Sequence, residues 1–451
     1  MDQIIGYGAF EEAVCKEAAA KGLGEYELYY QRDSADQVES FEGEIEKFSS
    51  STSEGVCFRC IADGKIGIAS TELFTKEEAA ALVARALQSA YATDLGDEAF
   101  LASGSAATAE PEAYAGANTA LDIENALKLE KAALAKDSRV EMAQGEIGEY
   151  ARVVRLSNAQ GLRLSKGGST AVAAVSIVAA DESGEKYSDY AVKAAAGPDK
   201  LDIEAVAAKA VDKTLAQMGG RPIPSGSYKV LLDKSQVALL LAVFAPAFSA
   251  KNAQDGLSRL KGMEGRQVAA PAVTIVDDPA HPESCFPSPF DAEGVQTQVK
   301  NVVENGVLTT LLHNLRTAAR AGVASTGNAS KGSYASPVSV SPFTFYLKPG
   351  ACTREELFAK AGDAVLITFM KGAHAGANAV TGDFSLESKG FLVEGGKITR
   401  PVQGITVAGN FFELLKNIEG VADDLEIDFS GVDSAFGGPT VLVSGLTIAG
   451  E

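Results

Sequence analysis

Histidine is scarce in this sequence: its 451 residues include three, His281, His313 and His374. They lie 32 and 61 residues apart, so no two of them share a face of one helix. The zinc signatures HExxH and HExxxH are both absent. The sequence therefore offers no local zinc site, and we expect each histidine to be a surface or loop residue.

Cysteine is also infrequent, and five cysteines in a chain of this length do not build a disulfide framework. Cys57 and Cys60 form a CxxC pattern within a predicted strand, where a separation of three places the two sulfurs on opposite faces. We interpret both as structural. Cys15 is predicted to be buried on its helix, and Cys285 and Cys352 lie in loops beside Pro or Gly.

Long apolar runs are missing as well. The longest, residues 237–248, has 12 residues and contains Pro246, whereas about 20 are needed to span a bilayer. The first 20 residues carry four acidic residues and no basic n-region, which argues against a secretory signal. These features predict a cytoplasmic protein with no transmembrane segment.

Basic residues are outnumbered by acidic ones, with 40 Lys and Arg against 60 Asp and Glu and a net charge of −20. A surface of this sign repels phosphate groups, so we expect no direct nucleic-acid binding and no attraction to anionic membranes. The apolar share of 46% is ordinary for a folded protein, and the length predicts two or three domains.

Residues 1–220 are predicted to form an N-terminal α+β domain of helices packed on antiparallel sheet. The pattern predicts helices at 10–20, 75–92, 119–136 and 202–217, and strands at 26–31, 56–62, 65–70, 148–156, 161–165, 170–178 and 186–192. The order of helix, strands and helix occurs twice, which indicates an internal duplication. Between the two rounds, residues 97–118 lack a period and are interpreted as a loop or linker.

Local signals support these elements. Thr75 with Glu78, three residues later, has the pattern of a capping box. Thr119 and Asp122 are predicted to cap the next long helix. The dipeptide at 63–64, Asp-Gly, predicts a tight hairpin turn.

Residues 219–226, GGRPIPSG, contain two prolines and three glycines and mark a domain boundary. The second domain, residues 221–451, is predicted to be β-rich and mainly antiparallel, with a buried helix at 235–248. Glycine turns at 304–306 and 394–396 indicate hairpins. Because helices and strands do not alternate strictly, the predicted fold class is α+β.

Three weaker patterns do not define a site. The Gly-rich stretch at 322–332 lacks both phosphate-loop signatures. The acidic run at 423–428 lacks the spacing of an EF-hand loop, and we interpret it as a solvated edge that resists strand pairing. Ser388 and Ser434 have no GxSxG context.

A set of motifs in the second half resembles the TldD/PmbA family. In chain order the motifs are LLHNLRTAARAG (311–322), TGN (326–328), PG (349–350), TGDFS (381–385), GFLVEGGK (390–397) and GLTIAG (445–450). The N-terminal segment GKIGIAST (64–71) resembles the same family. The resemblance covers nearly the whole chain, and the pairing of TGDFS with GFLVEGGK is its most specific part.

The family has two branches, and the resemblance implies the one without a zinc site. TldD-like members hold zinc with a HExxxH helix and a cysteine near the C-terminus, whereas TldE-like members, also called PmbA, lack this site and pair with them. An approximate ungapped register places the two histidines on Ala242 and Ala247 and the glutamate on Val243, and the cysteine near residues 433–436, DSAF. Alanine and valine side chains can neither bind metal nor transfer a proton, and DSAF contains no cysteine. We therefore expect no catalytic residue, no metal ligand and no cofactor in this chain.

The resemblance implies a cytoplasmic subunit of a TldD/TldE-type peptidase whose TldD-like partner supplies zinc and the attacking water. The pair is expected to admit extended or unfolded polypeptide, to trim modified peptide precursors and to degrade small labile proteins. The family name modulator of DNA gyrase then reflects an indirect link, which agrees with a net charge that opposes direct DNA binding.

Two other functions remain open from the sequence alone. One is a homodimeric peptide-binding or regulatory module with no protease partner. The other is an enzyme with an unrecognised site around Asp383, Ser385 and His374.

Exposed polar loop residues are where binding sites are usually built, and Arg316, Asn328 and Asp383 are the candidates for the rim of a peptide cleft. We expect extended peptide to bind by adding a strand to a sheet edge, which uses backbone hydrogen bonds. Because such binding leaves little side-chain signature, the sequence does not locate that edge.

Overall fold

The first half of the chain forms a six-stranded antiparallel sheet covered by helices. In the computed structural model, the described residues are 3–92, 101–103, 108, 110–111, 114, 116–284, 286–429 and 434–451. The elements of the first half are α1 (Tyr7–Ala20), β1 (Tyr26–Phe41), β2 (Glu44–Ala62), β3 (Lys65–Thr71), α2 (Lys76–Ala92), α3 (Thr119–Lys136), β4 (Val140–Asn158), β5 (Arg163–Ala180), β6 (Lys186–Ala195) and α4 (Ile203–Ala216). The strand order is β3-β2-β1-β4-β5-β6.

The sheet has two halves with the same element order. Each half is a helix, a three-stranded meander and a second helix, from α1 to α2 and from α3 to α4. The halves join through the antiparallel strands β1 and β4, whose register runs from Glu27 opposite Asn158 to Phe41 opposite Gln144. The repeated element order predicted from the sequence is therefore present in the structure.

The strands of the first sheet are longer than the sequence pattern predicts, and β1, β2 and β4 exceed the predicted strands by ten residues or more. β1 continues beyond residue 31 to Phe41 through mainly polar, half-buried side chains, so no apolar alternation marks this part. β5 runs unbroken over residues that were predicted to form two strands. Gly167, between the two predicted strands, lies where a Cβ atom would be 2.9 Å from the carbonyl oxygen of Arg152 in β4. It is thus a close-approach position within the strand.

The predicted hairpin turn and the first predicted cap are confirmed. Asp63 and Gly64 have φ angles of +51° and +76°, the left-handed region that a tight hairpin turn requires. Thr75 Oγ1 accepts a hydrogen bond from the Glu78 amide at 3.1 Å, just before α2 begins. Both features are local, which is why short sequence patterns located them.

The predicted cap of α3 is wrong in its residue. The cap is Asn118, whose side-chain oxygen accepts a hydrogen bond from the Leu121 amide at 3.3 Å, and not Thr119 with Asp122. Asparagine is among the best N-cap residues because its short side chain reaches back to the free amides. The loop or linker predicted at 97–118 lies largely outside the described residues.

The two faces of the first sheet pack against different partners. Cys60 belongs to a core with Phe10 of α1 and Phe58 of β2, on the face that the helices cover. Cys57 belongs to another core, which includes Phe290 from the second half of the chain. The prediction that these two sulfurs lie on opposite faces is confirmed, and both cysteines are buried free thiols.

The second half is built on two further six-stranded sheets. Its elements are β7 (Gly226–Leu232), α5 (Lys234–Phe244), α6 (Ala250–Gln254), β8 (Ile275–Asp277), β9 (Lys300–Glu304), β10 (Val307–Leu308), α7 (Leu315–Ala321), β11 (Ala329–Ser330), β12 (Ser339–Val340), β13 (Thr344–Leu347), α8 (Arg354–Ala361), β14 (Ala364–Lys371), α9 (Ala373–Gly376), β15 (Asp383–Glu394), β16 (Lys397–Asn410), α10 (Phe411–Lys416), β17 (Ile418–Val421), β18 (Glu426–Phe429), β19 (Ala435–Gly438) and β20 (Val441–Ala449).

One of these sheets has the order β10-β9-β8-β13-β19-β18 and the other β16-β15-β14-β7-β20-β17. In the second of them β16 also pairs with β20, which curls that sheet into a barrel-like shape. Most neighbouring strands are antiparallel, with parallel pairs only at β13–β19 and β14–β7 among the described ladders. The predicted α+β class with a β-rich second half is confirmed.

Helix α5 is apolar and contacts strands of both sheets in the second half, as predicted for a buried helix. Phe244 at its end stacks on Phe411, with ring centroids 4.5 Å apart. The α-helix ends there, four residues earlier than predicted, and residues 245–248 form a 3-10 turn that contains Pro246. A proline at this point cannot donate the hydrogen bond that would continue the helix.

Between Ala216 and Gly226 the chain forms neither helix nor strand. The division into domains 1–220 and 221–451 stays a prediction. Over the described ranges, none of the helices is both long enough and apolar enough to cross a membrane.

Candidate functional site

A cleft of about 890 Å³ opens between the two halves of the chain. One wall consists of β6 and α4, at the edge of the first sheet. The opposite wall consists of α5, β14 and β18, and residues 282–284 and 286 contribute to the rim. The cleft is therefore formed by a free sheet edge facing the apolar helix of the second half.

The edge strand β6 presents both side chains and backbone to the cleft. Tyr190 and Val192 line the cleft and remain 48% and 40% exposed. Lys389 Nζ donates to the Ser188 carbonyl at 2.8 Å, and Lys213 Nζ donates to the Tyr190 carbonyl at 2.9 Å, so these carbonyls point away from β5. Because a strand repeats every two residues, the backbone groups of Val192 and Ala194 point outward too.

Nothing in the described part of the chain hydrogen-bonds the outward backbone groups of Val192 and Ala194. In the register with β5, Ala191 lies opposite Val175 and Ala195 opposite Ala171, and by the same alternation the backbone groups of Ala191 and Ala195 face β5. The end of β6 is thus an open edge with one exposed apolar side chain at Val192. Such an edge can accept a further strand.

Two lysines hold a buried carboxylate behind this edge. Asp189 of β6 lies 2.9 Å from Lys213 and 2.7 Å from Lys389. Burial raises the pKa of Asp189, but the two ammonium groups lower it by more than burial raises it. The pKa of Asp189 is therefore below its ordinary value. The same lysines cover aromatic rings: Lys213 Nζ is 5.1 Å from the ring centroid of Tyr190, and Lys389 Nζ is 4.7 Å from that of Phe369.

A second ion cluster spans the cleft from wall to wall. Glu426 of β18 is 3.0 Å from Lys209 of α4 and also contacts Lys234 at the start of α5. Burial raises the pKa of Glu426, but the hydrogen bond from Lys234 and the charge of Lys209 outweigh burial and lower it to about 2. Burial, followed by the charge of Glu426, raises the pKa of Asp428. The cluster therefore keeps Glu426 ionised as a link between the walls.

Helix α5 presents apolar side chains to the cleft. Ala238, Leu239 and Ala242 line the cleft wall, and Gln236 beside them donates to the Thr368 carbonyl at 2.9 Å. This is the helix onto which the sequence register placed the zinc ligands of the TldD branch.

The three register positions do not share one surface. Ala242 lines the cleft, Val243 is half-buried against the core, and Ala247 lies in the 3-10 turn after the helix and is fully buried. Alanine and valine carry no donor atom for a metal ion, so these residues do not fit zinc. Among the described residues, no group of three or more His, Cys, Asp or Glu side chains is arranged to hold a metal ion. The register placed the cysteine near residues 433–436; of these, residue 433 lies outside the described part of the chain, and Ser434, Ala435 and Phe436 carry no thiol.

The three predicted rim residues do not line this cleft. Arg316 lies on α7 and is half-buried. Asp383 is exposed at the start of β15, and its carboxylate accepts a hydrogen bond from Asn410 at 2.8 Å. Hydrogen bonds from Asn410 and Thr381 hold the pKa of Asp383 below its usual value. Whether Arg316 and Asp383 contact a peptide stays a prediction.

The expectation that Asn328 is exposed is wrong. The residue is fully buried, and its amide donates to Asp277 at 2.7 Å and to the Ser341 carbonyl at 3.1 Å. Thr326 donates to its side-chain oxygen at 2.7 Å. The side chain is thus enclosed in a hydrogen-bond network, which the TGN motif builds around a turn at residue 327.

One histidine also differs from expectation. His313 is buried. Its backbone is held within the second half of the chain: its amide donates to Thr326 Oγ1 at 2.7 Å, and its carbonyl accepts a hydrogen bond from the amide of residue 328. Burial lowers the pKa of His313. His374 is exposed and His281 half-buried, as expected of surface or loop residues.

Sequence reasoning missed the residues that form the cleft. Lys209, Lys234 and Tyr190 sit in ordinary amphipathic patterns and carry no motif. The acidic run at 423–428 was the one available signal: β18 is indeed an outer strand of its sheet, and Glu426 within it links the two walls.

Known proteins resemble this chain over its whole length. Models of the PmbA/TldA metallopeptidase match it in three parts, domain 1 at residues 26–90, the central domain at 114–218 and the C-terminal domain at 225–450. A metalloprotease PmbA homologue of Haemophilus influenzae is 30% identical over 322 residues, which cover 70% of this chain and 68% of that protein.

Solved structures share the fold. A Thermotoga maritima protein, proposed to be a modulator of a DNA gyrase, is 31% identical with a TM-score of 0.88 and covers 98% of this chain and 100% of its own. TldE from Thermococcus kodakarensis is 21% identical with a TM-score of 0.82, over 98% of this chain and 100% of that one, a likeness of fold alone.

The architecture is that of a two-part α+β protein with a cleft between a free sheet edge and a buried helix. The chain belongs to the PmbA/TldD metallopeptidase family, in its TldE/PmbA branch. The resemblance found in the sequence motifs is confirmed.

Proposed function

We propose that this chain is the non-catalytic, TldE/PmbA-type subunit of a two-subunit peptidase, which binds extended polypeptide in its cleft while a TldD-like partner supplies zinc and the attacking water. The observation that carries the proposal is the wall of Ala238, Leu239 and Ala242 on the helix where the TldD branch holds its metal. Hydrocarbon side chains can contact a peptide but can neither polarise its carbonyl group nor activate a water molecule.

The open end of β6 is the proposed binding edge for the polypeptide. The outward amides and carbonyls of Val192 and Ala194 supply hydrogen bonds that any peptide backbone can make. The exposed side chains of Tyr190 and Val192 supply apolar contact on alternate residues. Backbone pairing of this kind selects extended chains and excludes folded ones, because a folded segment has already used its backbone groups.

The electrostatics of the chain favour this substrate class over nucleic acid. The net charge of −20 repels phosphate, and three of the four described lysines that line the cleft, Lys209, Lys213 and Lys234, are paired with Asp189 or Glu426. They are therefore not arranged as a basic track for a phosphate backbone. A cytoplasmic location, where unfolded chains and peptide precursors are made, is part of the same proposal.

Association with a partner is tested by size-exclusion chromatography with light scattering. The chain is run alone and mixed with a TldD-like subunit from the same genome. The proposal predicts a complex of the two different subunits in the mixture. A homodimer that persists unchanged in the mixture would overturn the partner role and favour the homodimeric regulatory module.

A further inference from the structure

A second, smaller pocket lies beside the cleft, at the seam where the first sheet meets the second half of the chain. Its volume is about 60 Å³, enough for water molecules or one small polar group. Phe286 and Phe343 line both this pocket and the cleft, so the two cavities are neighbours. We call it the basic pocket, after Arg152, Lys166 and Lys331, which line it.

The charge of this pocket is opposite to that of the protein. Among the residues that the structure describes, three basic side chains line it and no acidic one does, in a chain whose net charge is −20. They come from three places: Arg152 from β4, Lys166 from β5, and Lys331 from the residue after β11. The fold therefore gathers cations at a point where the rest of the surface is acidic.

The three cations differ in their partners. Arg152 makes a two-point contact with Asp33, at 2.6 Å and 3.0 Å. Lys166 donates to the uncharged carbonyl of Phe290 at 2.6 Å and to Ser288 Oγ at 3.3 Å.

Lys331 is the unusual member. Lys331 is only 8% exposed, and its Nζ atom lies 4.9 Å from the ring centroid of Tyr29. The buried thiol of Cys57 is its hydrogen-bonding neighbour, and across the described residues no carboxylate lies within ion-pair distance of this ammonium group. Burying an ammonium group is costly unless an anion or several acceptors replace its water.

We propose that the basic pocket binds a carboxylate group of the peptide that lies in the cleft, with Lys331 as its main ionic partner. The inference rests on the proposed function and specifies its substrate class: extended peptides that carry a carboxylate, at the C-terminus or on a side chain, where the chain passes Phe286 and Phe343. A carboxylate fits the pocket volume and can accept a hydrogen bond from the Lys331 ammonium group. It also supplies the anion that Lys331 lacks.

Fluorescence polarisation with three labelled peptides of one unstructured sequence tests the proposal. The first peptide has a free C-terminal carboxylate and no acidic side chain, the second is its C-terminal amide, and the third is the amide with one Glu. The proteins are the full chain, Lys331→Met and the control Lys348→Met, which removes the same charge at an exposed position outside both cavities.

The proposal predicts that the full chain binds at least one carboxylate peptide about tenfold more tightly than the neutral amide, which corresponds to about 1.4 kcal/mol. Lys331→Met is expected to abolish that difference, and Lys348→Met to preserve it. Preference for the first or third peptide identifies the terminal or the side-chain carboxylate. Equal binding of all three peptides by the full chain would overturn the proposed role of the basic pocket but not that of the cleft. If the full chain bound none of the peptides, the proposed function itself would be overturned.

Discussion

Lys209 of α4 and Glu426 of β18 lie 3.0 Å apart, so an ion pair connects the first half of the chain to the second across the cleft. Lys389 of β15 and Asp189 of β6 make a similar link at 2.7 Å. The first pair joins the two walls of the cleft, and the second joins β6 to the sheet that contains β14. The width of the cleft therefore depends on charges as well as on packing.

Replacing Glu426 by Gln is expected to destabilise the protein at neutral pH. The pKa of Glu426 is lowered from 4.5 to about 2, so its ionised form stabilises the fold by about 1–3 kcal/mol above pH 4.5. This contribution is lost as the pH falls from about 4.5 toward 2. The melting temperature of Glu426→Gln should therefore be below that of the wild type at pH 7, with the gap shrinking below pH 4.5.

Glu419→Gln is the matched control, because its pair with Lys229 is exposed and 4.0 Å long. Such an exposed ion pair stabilises the fold by only about 0–1 kcal/mol. If Glu426→Gln melts like the control at pH 7, Glu426 does not hold the walls together.

A buried carboxyl at the seam predicts a second, opposite pH effect. Glu293 is 3.5 Å from Arg59 and its side chain is 3% exposed; burial raises its pKa to about 7, although the charge of Arg59 lowers it. Its protonated form therefore stabilises the fold below about pH 4.5, and that stability is lost as the pH rises toward 7. The wild-type melting temperature should fall over this range, and that of Glu293→Gln should fall less.

Glu304→Gln, at an exposed position, serves as the control and should keep the wild-type slope between pH 4.5 and 7. Identical slopes for Glu293→Gln and the wild type would show that Glu293 does not titrate in this window.

The glycine that opens the GFLVEGGK motif has a steric role. A Cβ atom on Gly390 would lie 1.8 Å from the carbonyl oxygen of Leu366 in the neighbouring strand β14. Gly390→Ala is therefore expected to lower the free energy of unfolding by about 2–4 kcal/mol, since two backbone segments must separate. In Gly395→Ala, where the φ angle is +57° and the space is open, the cost should be about 1 kcal/mol. The midpoints of denaturant unfolding measure the loss of stability in both variants. Equal midpoints for the two variants would contradict the close contact at Gly390.

Peptide binding along β6 predicts a specific backbone effect. Val192→Pro removes an amide that points into the cleft, and proline is tolerated on an edge strand at such a position. We expect the affinity for an unstructured peptide to fall about tenfold or more, because one backbone hydrogen bond and the space beside it are lost. Val192→Ala keeps the amide and should lose less. Equal losses in the two variants, at unchanged melting temperature, would rule out strand addition at this point.

The sequence predicted features whose causes are local. The turn at Asp63 and Gly64 needs left-handed backbone, and the cap of α2 spans the four residues from Thr75 to Glu78; both are present, with the Glu78 amide donating to Thr75 Oγ1 at 3.1 Å. The motifs also predicted the family, and the order of helices and strands predicted both the α+β class and the repeat within the first sheet.

Features that depend on distant contacts could not be predicted. Asn328 looked like an exposed loop residue, but its partners Asp277 and Ser341 come from separate segments that only the fold brings together. The open edge of β6 is defined by the absence of a neighbour in the described sheet, which no pattern within the strand encodes. Lys331 was part of a Gly-rich stretch, and its burial against Tyr29 depends on how the two halves meet.

The central claim is that this chain binds peptide but leaves the chemistry to its partner, and cleavage of an unstructured peptide tests it most directly. Mass spectrometry would follow the peptide with added zinc in the presence of this chain alone, a TldD-like partner alone, and both together. The account predicts no cleavage by this chain alone and cleavage in the mixture, because Ala242, Val243 and Ala247 offer no metal ligand. Cleavage by the purified chain alone would contradict the account and mean that an active site lies elsewhere in it.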